Sequence, residues 1–509
     1  MVEKVYSMGL LGMQAFPVEV EADISSGLPA FDLVGLPDAA VKESRDRVRA
    51  ALKNCGFDFP VSHITMNLAP ADKRKEGPIY DLPLLVSLLK ATEQLRADLS
   101  DAVFIGELSL GGALRPVRGV LSMAREAVRQ GFKRLFVPVG NAREGSVVSG
   151  IAVYPVPDVF SLLEHLQGNT RIEPAAAYQP NPQQQANLPD FADVKGQSQA
   201  KRALEIAAAG GHNVLLIGAP GSGKSMLAKR LPSILPEMSF EEMLETTEIH
   251  SVAGLLPNDA ALIETRPFRA PHHTISGAGL SGGGTIPRPG EISLAHNGVL
   301  FLDELPEFSR SSMETMRQPL ENGSVTVSRV HGTVAFPCSV MLVAAMNPCP
   351  CGYYGHPTRP CTCSDSAVAR YLGRVSGPLL DRIDLHVDVP PVDFDDLSSD
   401  RKSESSAEIK ARVDAARAIQ RERFRGTGVA NNANIPSELF HEVCRTEPAA
   451  DALLKNAFER FGLSARAYDR VLKVARTIAD LDGAAHIEAK HAAEAVRYRT
   501  LDRKYWGSR

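Results

Sequence analysis

The pattern of apolar and polar positions along the chain predicts three folded regions and one linker. Residues 1–166 alternate strand-like and helix-like patterns: VEVEADIS is apolar at every second position, and DLPLLVSLLKA is apolar enough for a buried helix. These patterns predict an α/β domain over 1–166. The stretch QGNTRIEPAAAYQPNPQQQANLP has four Pro and hardly any periodic apolar positions, which predicts a linker over 167–189.

Three short apolar strands follow the linker, within VLLIGAP, VLFLDE and SVMLVAAMN. Because helical stretches separate them, they predict a parallel sheet covered on both faces, in a second α/β domain over 190–397. From 398 to 509 the pattern is helical, as in SAEIKARVDAARAIQRERF. The predicted fold class is therefore α/β with a helical carboxyl-terminal region.

Composition narrows the function only a little. The 509 residues are ample for several domains, and 44% apolar with 23% charged residues excludes a chain that is disordered throughout. The sequence has neither an eighteen-residue apolar run nor a secretory leader, so we expect a cytoplasmic protein with no membrane partner. With a net charge of −4, any nucleic-acid site must be a local basic patch.

The strongest chemical signal is a phosphate-binding loop between an apolar strand and a predicted helix. The sequence GAPGSGKS fits G-x-x-x-x-G-K-[ST], in which backbone N–H groups surround the phosphates of ATP. The lysine reaches the β and γ phosphates, and the last hydroxyl binds Mg²⁺. The motif consists of Gly218, Ala219, Pro220, Gly221, Ser222, Gly223, Lys224 and Ser225.

Polar residues end the next two strands and complete a candidate catalytic site. Asp303 and Glu304 follow VLFL, where the acids would hold Mg²⁺ and activate the attacking water, respectively. Asn347 ends SVMLVAAMN and is placed to contact the γ-phosphate or the water. The alternative for Asn347 is a turn-forming residue before Pro348.

The order of these motifs, with an arginine in LLDRID and a helical region behind it, resembles the AAA+ ATPases. Within them, APHHTISGAGLSGGG, GEISLAHNGVLFLDELPEF, MRQPLENGSVTVSR and GPLLDRIDLHVDV resemble the magnesium-chelatase-like branch, and the whole chain resembles the ComM/YifB family. The resemblance implies an AAA+ P-loop NTPase domain and a helical lid. It also implies a homohexamer that acts on single-stranded or branched DNA as a branch-migration helicase in natural transformation (competence), with recombination proteins as further candidate partners.

The resemblance assigns two arginines by position. Arg382 in LLDRID corresponds to the arginine finger, and Arg466 in LSARAYDR corresponds to the sensor arginine of the lid. An arginine from a neighbouring subunit can stabilise the charge that spreads over the phosphate oxygens. The alternative for Arg382 is an ion pair with Asp381 or Asp384 and no further role.

The first domain resembles the Lon protease domain in ADKRKEGPIYDLPLLVSLL and in the segment after FIGELSLGG, which implies a Lon-protease-like (S5-type) fold. Lon-type hydrolysis needs a serine nucleophile and a lysine. This chain has Ile79 and Met123 at those positions, so we expect a non-proteolytic domain. Its basic residues, among them Lys73, Lys75 and Arg118, are left to DNA, a ring interface or solvent.

Two inserts are candidate DNA contacts. RPFRAPHHTISGAGLSGGGTIPRPG has too many Gly and Pro for a core element and predicts a protruding loop, with His272 and His273 as candidates. GSVTVSRVHGTVAFP predicts a hairpin whose turn carries Arg329 and His331. Resemblance to AAA+ proteins with hairpin inserts implies that both point into a ring pore and contact phosphates. The alternative is a pair of subunit-contact loops with solvated charges.

Four cysteines form C-x-C-x₉-C-x-C: Cys349, Cys351, Cys361 and Cys363. Four thiolates can surround a tetrahedral Zn²⁺ in a structural site. Free or redox-active thiols, or His356 as a replacement ligand, are the alternatives.

The sequence therefore supports an ATP-hydrolysing DNA motor. Its rival is a magnesium-chelatase-type ATPase subunit that drives metal insertion into a porphyrin. Stimulation of the ATPase by DNA or by a chelatase partner complex would discriminate between them.

Overall fold

The computed structural model describes residues 3–179, 188–257, 260–284, 287–329, 332–392 and 403–506. The chain forms two compact units, the first made of Met1–Asn181 and Phe240–Glu264, the second of Pro182–Ser239 and Thr265–Arg509. The strands, numbered in chain order, are β1 Glu3–Leu11, β2 Gln14–Ser25, β3 Ala30–Val34, β4 His63–Ala69, β5 Ala102–Phe104, β6 Glu107–Leu108, β7 Leu114–Arg115, β8 Arg134–Pro138, β9 Ala152–Val156, β10 Val214–Ile217, β11 Phe268–Arg269, β12 Gly282–Gly283, β13 Arg288–Pro289, β14 Val299–Leu302, β15 Ser324–Arg329, β16 Gly332–Pro337, β17 Met341–Met346 and β18 Leu385–Asp388.

The first unit is built on a seven-stranded mixed sheet in the order β3-β4-β2-β1-β5-β8-β9. β2 pairs antiparallel with β1 and β4, and the other neighbours are parallel. The predicted alternation in β2 is confirmed, since Val18, Val20 and Ala22 are fully buried. The α-helices of this unit are Ala39–Lys42, Ser44–Asn54, Asp81–Ala91, Val120–Arg129, Ala142–Gly145, Val159–Leu166 and Phe240–Ala253.

The last of these helices comes from far along the chain, after the phosphate-binding loop. Leu244 packs with Leu121 and Val147 in a small apolar cluster. Glu248 accepts a hydrogen bond of 2.9 Å from Arg125, and Ser251 Oγ accepts the backbone N–H of Gly119 at 2.8 Å. The segment 240–264 is therefore part of the first unit, although it follows the phosphate-binding loop in sequence.

The start of the predicted linker also packs on this unit. The backbone N–H of Ala175 donates to the carbonyl of Val153 at 2.7 Å, and Ile172 contacts the apolar core. Residues 180–187 of the linker lie outside the described residues.

The second unit contains the predicted parallel sheet, in the order β11-β14-β17-β10-β18. All four pairings are parallel, and β10, β14 and β17 are buried along their whole length. Because all three strands run in the same direction, their carboxyl ends meet at one edge of the sheet. The α-helices of this unit are Ser198–Gly210, Lys224–Arg230, Gly277–Ser281, Glu291–Leu294, Arg310–Thr315, Arg317–Asn322, Asp365–Leu372, Gly377–Leu380, Ser406–Arg423, Phe440–Val443, Pro448–Phe461, Ala465–Leu481, Ala489–Arg497 and Thr500–Trp506.

The carboxyl-terminal region is helical, as predicted. Its first long helix, Ser406–Arg423, begins with a capping box between Ser405 and Glu408. Asp480, with no exposed side-chain surface, pairs with Arg423 and Arg476 inside this region. A buried carboxylate between two guanidinium groups requires these helices to keep one arrangement, because either partner left alone would be a buried charge.

Both predicted inserts contain regular secondary structure in their described residues. β15 and β16 form an antiparallel hairpin whose last described pair is Arg329 with Gly332. The Gly-rich insert is more ordered than the predicted loop: it contains the helix Gly277–Ser281, whose Leu280 is fully buried, and a short ribbon of β12 and β13. Among the described helices, none is long and apolar enough to cross a membrane.

Candidate functional site

The phosphate-binding loop connects β10 to the helix Lys224–Arg230 at the carboxyl edge of the parallel sheet. Gly221 and Gly223 have φ values of +79° and +91°, which favour glycine because a Cβ would be strained there. A Cβ on Gly218 would lie 2.3 Å from the carbonyl oxygen of Val389. The motif glycines thus allow a tight turn against the neighbouring backbone.

Lys224 is buried with its ammonium group among oxygen atoms. Nζ donates to the carbonyls of Gly218 and Ala219 at 2.7 and 3.0 Å and to Oδ1 of Asn347 at 3.2 Å. Burial lowers the pKa of Lys224, and Asp303 opposes that shift. The contact with Asn347 joins the lysine of the loop to the polar residue that follows β17.

Ser225 and Asp303 converge from two different elements. The Ser225 hydroxyl donates to Oδ2 of Asp303 at 2.6 Å. A hydroxyl and a carboxylate are the hard oxygen donors that Mg²⁺ prefers. The two side chains therefore fit a Mg²⁺ ion that is bound with phosphate.

Glu304 directly follows Asp303 but points elsewhere. Its Oε2 lies 3.2 Å from Nδ1 of His273, and its backbone φ of +54° is in the left-handed region. The ring of His273 packs against that of His272, with 4.1 Å between centroids. The structure thus places one of the two candidate DNA-contact histidines of the Gly-rich insert against the candidate general base.

Two further residues lie beside this site, and no sequence pattern points to either of them. Gln197 donates from its side-chain amide to the carbonyls of Ser222 and Pro390, which fixes the phosphate-binding loop from outside. Burial raises the pKa of Tyr371 to about 12, and the nearby backbone N–H of Asn347 opposes that shift. These contacts are long-range and have no sequence spacing that could reveal them.

Arg382 and Arg466 line a common cavity of about 520 Å³. Arg382 donates to Glu321 at 2.6 Å and to the carbonyl of Pro378 at 2.7 Å. Its hydrogen-bonding carboxylate is therefore Glu321, whereas Asp384 bonds Arg470 and His212. The guanidinium of Arg382 lowers the pKa of Glu321, with a smaller contribution from Arg466. Among the described residues that line this cavity, none belongs to the phosphate-binding loop.

The remaining candidate DNA contacts are described only in part. His331 lies outside the described residues, and Arg329 is defined by its backbone position at the end of β15. Nδ1 of His272 lies 2.9 Å from the hydroxyl of Thr274, and the ring is exposed.

The four cysteines come together as a cluster, with all their Sγ atoms within 4.8 Å of one another. The shorter Sγ–Sγ distances are 3.3, 3.5 and 3.7 Å, too long for a disulfide. Burial raises the pKa of the Cys351 thiol, but backbone N–H groups of Tyr353 and Thr362 outweigh it, and the pKa is lowered to about 5. Nδ1 of His356 accepts backbone N–H groups of Thr358 and Arg359, so this nitrogen is already engaged.

In the first unit, the two residues predicted from the sequence to replace a Lon catalytic pair are apolar and buried. Ile79 is 8% exposed and Met123 is fully buried. Lys75, one of the basic residues expected at the surface, is also buried; its Nζ donates to the carbonyl of Pro70, and burial lowers its pKa. Lys75 therefore has no free surface to offer DNA.

Comparison with known proteins places these features in a family. Three profiles match: "Magnesium chelatase, subunit ChlI" over residues 190–397, "Subunit ChlI of Mg-chelatase" over 20–141 and "Magnesium chelatase, subunit ChlI C-terminal" over 403–499. The chain is 45% identical over 505 residues to the uncharacterised protein YifB of Escherichia coli K12, covering 98% of this chain and 97% of that protein. It is 44% identical over 512 residues to the competence protein ComM of Haemophilus influenzae, with the same coverage of 98% and 97%.

The chain belongs to the ComM/YifB family of magnesium-chelatase-like proteins. The sequence prediction of this family is confirmed, together with the mixed α/β fold, the parallel sheet and the helical carboxyl-terminal region of a magnesium-chelatase-like AAA+ protein. Similarity to a magnesium chelatase itself is more limited. The 67 kDa magnesium-chelatase subunit of Chlorobaculum tepidum is 31% identical over 164 residues, which is 31% of this chain and 23% of that protein.

Proposed function

We propose that this ComM/YifB-family protein is a homohexameric ATPase that moves on DNA and drives branch migration when transforming DNA is integrated. The observation that carries the ATPase is the convergence of Lys224, Ser225, Asp303 and Asn347 at one edge of the parallel sheet. The similarity over almost the whole length to a competence protein supports the link to DNA uptake.

In this proposal the phosphate-binding loop holds the triphosphate through its backbone N–H groups and Lys224. Ser225 and Asp303 hold Mg²⁺, which neutralises charge on the phosphates when bound. Glu304 orients the attacking water and accepts its proton, once its carboxylate is released from His273. Asn347 contacts the γ-phosphate or the water from the neighbouring strand.

The hexamer is part of the proposal because the chain separates its catalytic groups. Arg382 and Arg466 share a cavity lined by residues outside the phosphate-binding loop. A neighbouring subunit is therefore the natural recipient of both arginines, where they would stabilise the charge on the γ-phosphate. In the single chain, the guanidinium of Arg382 donates a hydrogen bond to the carboxylate of Glu321. In the ring, a phosphate of the neighbouring subunit's nucleotide would replace that carboxylate.

We assign DNA contact to the hairpin of β15 and β16, through Arg329 at the end of β15 and through His331, which the sequence predicts in the turn. The exposed His272 is a further candidate. Such contacts go to phosphates, so binding would be strong but weakly selective for sequence. We further propose that the first unit is a Lon-like domain without protease activity, since buried Ile79 and Met123 replace the catalytic pair.

The second candidate function is a magnesium-chelatase-type ATPase subunit that drives metal insertion into a porphyrin. The matching chelatase profiles and the 31% identity to a chelatase subunit favour it. The competence protein, however, matches almost the whole chain, whereas the chelatase subunit matches less than a third of it.

A four-way DNA junction with labelled strands tests the proposal directly. Wild-type protein with ATP and Mg²⁺ should resolve the junction, and DNA should stimulate its ATPase, while Glu304→Gln should bind the junction without resolving it. Protein that forms rings and hydrolyses ATP, yet neither binds nor resolves branched DNA, would end the helicase proposal and favour the chelatase one.

A further inference from the structure

The cysteine cluster begins two residues after Asn347, at the end of β17. A tetrahedral Zn²⁺ with Zn–S distances of about 2.3 Å requires Sγ–Sγ distances of about 3.8 Å. The shorter distances in the cluster, between 3.3 and 3.7 Å, lie just below that value. The thiols of Cys349, Cys351 and Cys361 are therefore spaced as a tetrahedral metal site needs them, and the Sγ atom of Cys363 lies within 4.8 Å of all three.

Backbone donors around the sulfur atoms fit the same interpretation. The N–H groups of Tyr354 and Cys363 point to the Sγ atoms of Cys349 and Cys361 at 3.3 and 3.4 Å. Such donors offset the negative charge that four thiolates bring to one divalent ion. Thiolate ligands in a tetrahedron select zinc among the common divalent ions, and four of them leave no position open for catalysis.

The cluster also contacts the phosphate-binding loop. Gly352, between the first two and last two cysteines, has a φ of +86°, and a Cβ placed on it would lie 2.4 Å from Cδ of Pro220. Pro220 belongs to the motif that surrounds the phosphates. The segment held by the cysteines thus packs against this loop on one side and continues from Asn347 on the other.

We infer that Cys349, Cys351, Cys361 and Cys363 bind a structural zinc ion, and that this zinc site fixes the phosphate-binding loop relative to Asn347. The inference rests on the proposed nucleotide site but adds a function to a cluster outside it. With the metal bound, the segment 349–363 becomes a rigid support behind Pro220. Without it, the loop loses that support and ATP binds more weakly.

Two glycine variants separate this contact from general damage to the segment. Gly352→Ala and Gly355→Ala both force alanine into a left-handed conformation, with φ values of +86° and +74°. At Gly355, however, the nearest atom to a new Cβ is Cε of Lys504 at 3.8 Å, which is ordinary contact distance. Only Gly352→Ala pushes against the phosphate-binding loop.

The measurements are zinc content by elemental analysis, on protein purified without chelator, and affinity for mant-ATP with Mg²⁺. We expect about one zinc per chain in the wild type and in both glycine variants. Affinity for mant-ATP should fall about tenfold or more in Gly352→Ala and stay within about twofold in Gly355→Ala. Cys361→Ser should lose both zinc and affinity, whereas Cys55→Ser, a cysteine outside the cluster, should lose neither.

Several results would overturn the inference. If wild-type protein lacks metal but binds mant-ATP, the zinc site is refuted and the proposed ATPase is unaffected. If the Gly352→Ala variant contains zinc and binds mant-ATP as tightly as Gly355→Ala, the segment does not support the phosphate-binding loop. Wild-type protein that carries zinc but binds no nucleotide would refute the proposed ATPase together with the support, and would leave only the metal site.

Discussion

Nδ1 of His273 lies 3.2 Å from Oε2 of Glu304, the residue assigned to water activation. A base must be within hydrogen-bonding distance of the water it deprotonates, and a carboxylate paired with an imidazole is oriented toward that ring instead. The left-handed backbone of Glu304 adds a strained geometry of the kind that is found at functional sites. The contact with His273 therefore holds the Glu304 carboxylate away from the position it needs for water activation.

Removing that restraint should raise the DNA-free ATPase rate. His273→Ala frees the Glu304 carboxylate, so kcat without DNA should rise several-fold while KM for ATP is unchanged, because His273 contacts the base and not the phosphate-binding loop. His273→Asn keeps a hydrogen-bond donor and should restore the low rate. The matched control is His272→Ala, because the ring nitrogen of His272 faces Thr274 and not Glu304. This variant should keep the low rate. A fall in kcat for His273→Ala would mean that the histidine assists the reaction.

Binding and turnover should separate between two variants at the ATP site. Lys224→Ala removes the ammonium group that the loop carbonyls and Asn347 surround, and should abolish nucleotide binding. Glu304→Gln should keep ATP affinity near the wild-type value and lose turnover, because an amide cannot accept the proton. Equilibrium binding of mant-ATP and steady-state phosphate release measure the two effects. Equal ATP affinity in wild type and Lys224→Ala would refute the site assignment.

Arg382 should act on the nucleotide of a neighbouring subunit. Arg382→Ala alone should bind ATP but lose about 10³-fold or more in kcat, as expected for an arginine finger. Mixing it with Lys224→Ala chains should restore some activity, because some interfaces then combine an intact loop with an intact arginine. Co-assembly is verified with differently tagged chains. Mixed rings that are no more active than either variant alone would place Arg382 in a purely structural pair with Glu321.

The helical region should depend on the buried carboxylate of Asp480. Asp480→Ala leaves Arg423 and Arg476 without their shared partner, and breaking a buried ion pair costs about 3–5 kcal/mol. Thermal unfolding of the full chain should show a lower Tm. Asp414→Ala removes a half-exposed helix-surface pair with Lys410, worth about 0.5 kcal/mol or less, and is the control. Equal Tm values for the two variants would contradict the role of Asp480.

The sequence could predict the candidate site at the carboxyl end of the sheet because each of its parts is local. The continuous apolar runs of β10, β14 and β17 predict buried parallel strands, and the candidate site residues follow each strand directly. Parallel strands then bring those residues to one edge without any knowledge of long-range packing. This is why the contact of Lys224 with Asn347, 123 residues apart, follows from two short motifs.

The features that the sequence could not predict are contacts between residues far apart in the chain, which leave no periodic pattern. Glu321 pairs with Arg382 from 61 residues away, and the contact of Gly352 with Pro220 joins two turns. An apolar helix face shows that something covers it but not what, so the helix Phe240–Ala253 gave no sign that it belongs to the first unit. Lys75 sits in ADKRKEG, a surface-like stretch, yet tertiary packing buries it.

The last prediction concerns DNA and the hairpin of β15 and β16. Each phosphate contact by a cationic side chain releases counterions, so DNA affinity should fall by orders of magnitude between about 50 and 200 mM salt if several phosphates are bound per ring. Arg329 ends β15 beside the hairpin turn. Arg329→Ala should therefore weaken binding to single-stranded and branched DNA alike and make the salt dependence less steep.

The reason is that a phosphate contact carries charge but no sequence information, so its loss affects every DNA substrate in the same proportion. DNA-free ATPase should survive in Arg329→Ala, because this residue is not among the groups assigned to the nucleotide. Arg96→Ala, which removes a highly exposed arginine of the first unit, is the charge-matched control and should leave the salt slope unchanged. Fluorescence anisotropy over a salt series measures both variants. If Arg329→Ala and Arg96→Ala have the same slope as the wild type, the hairpin does not bind DNA phosphates, and a different surface must carry the proposed DNA contact.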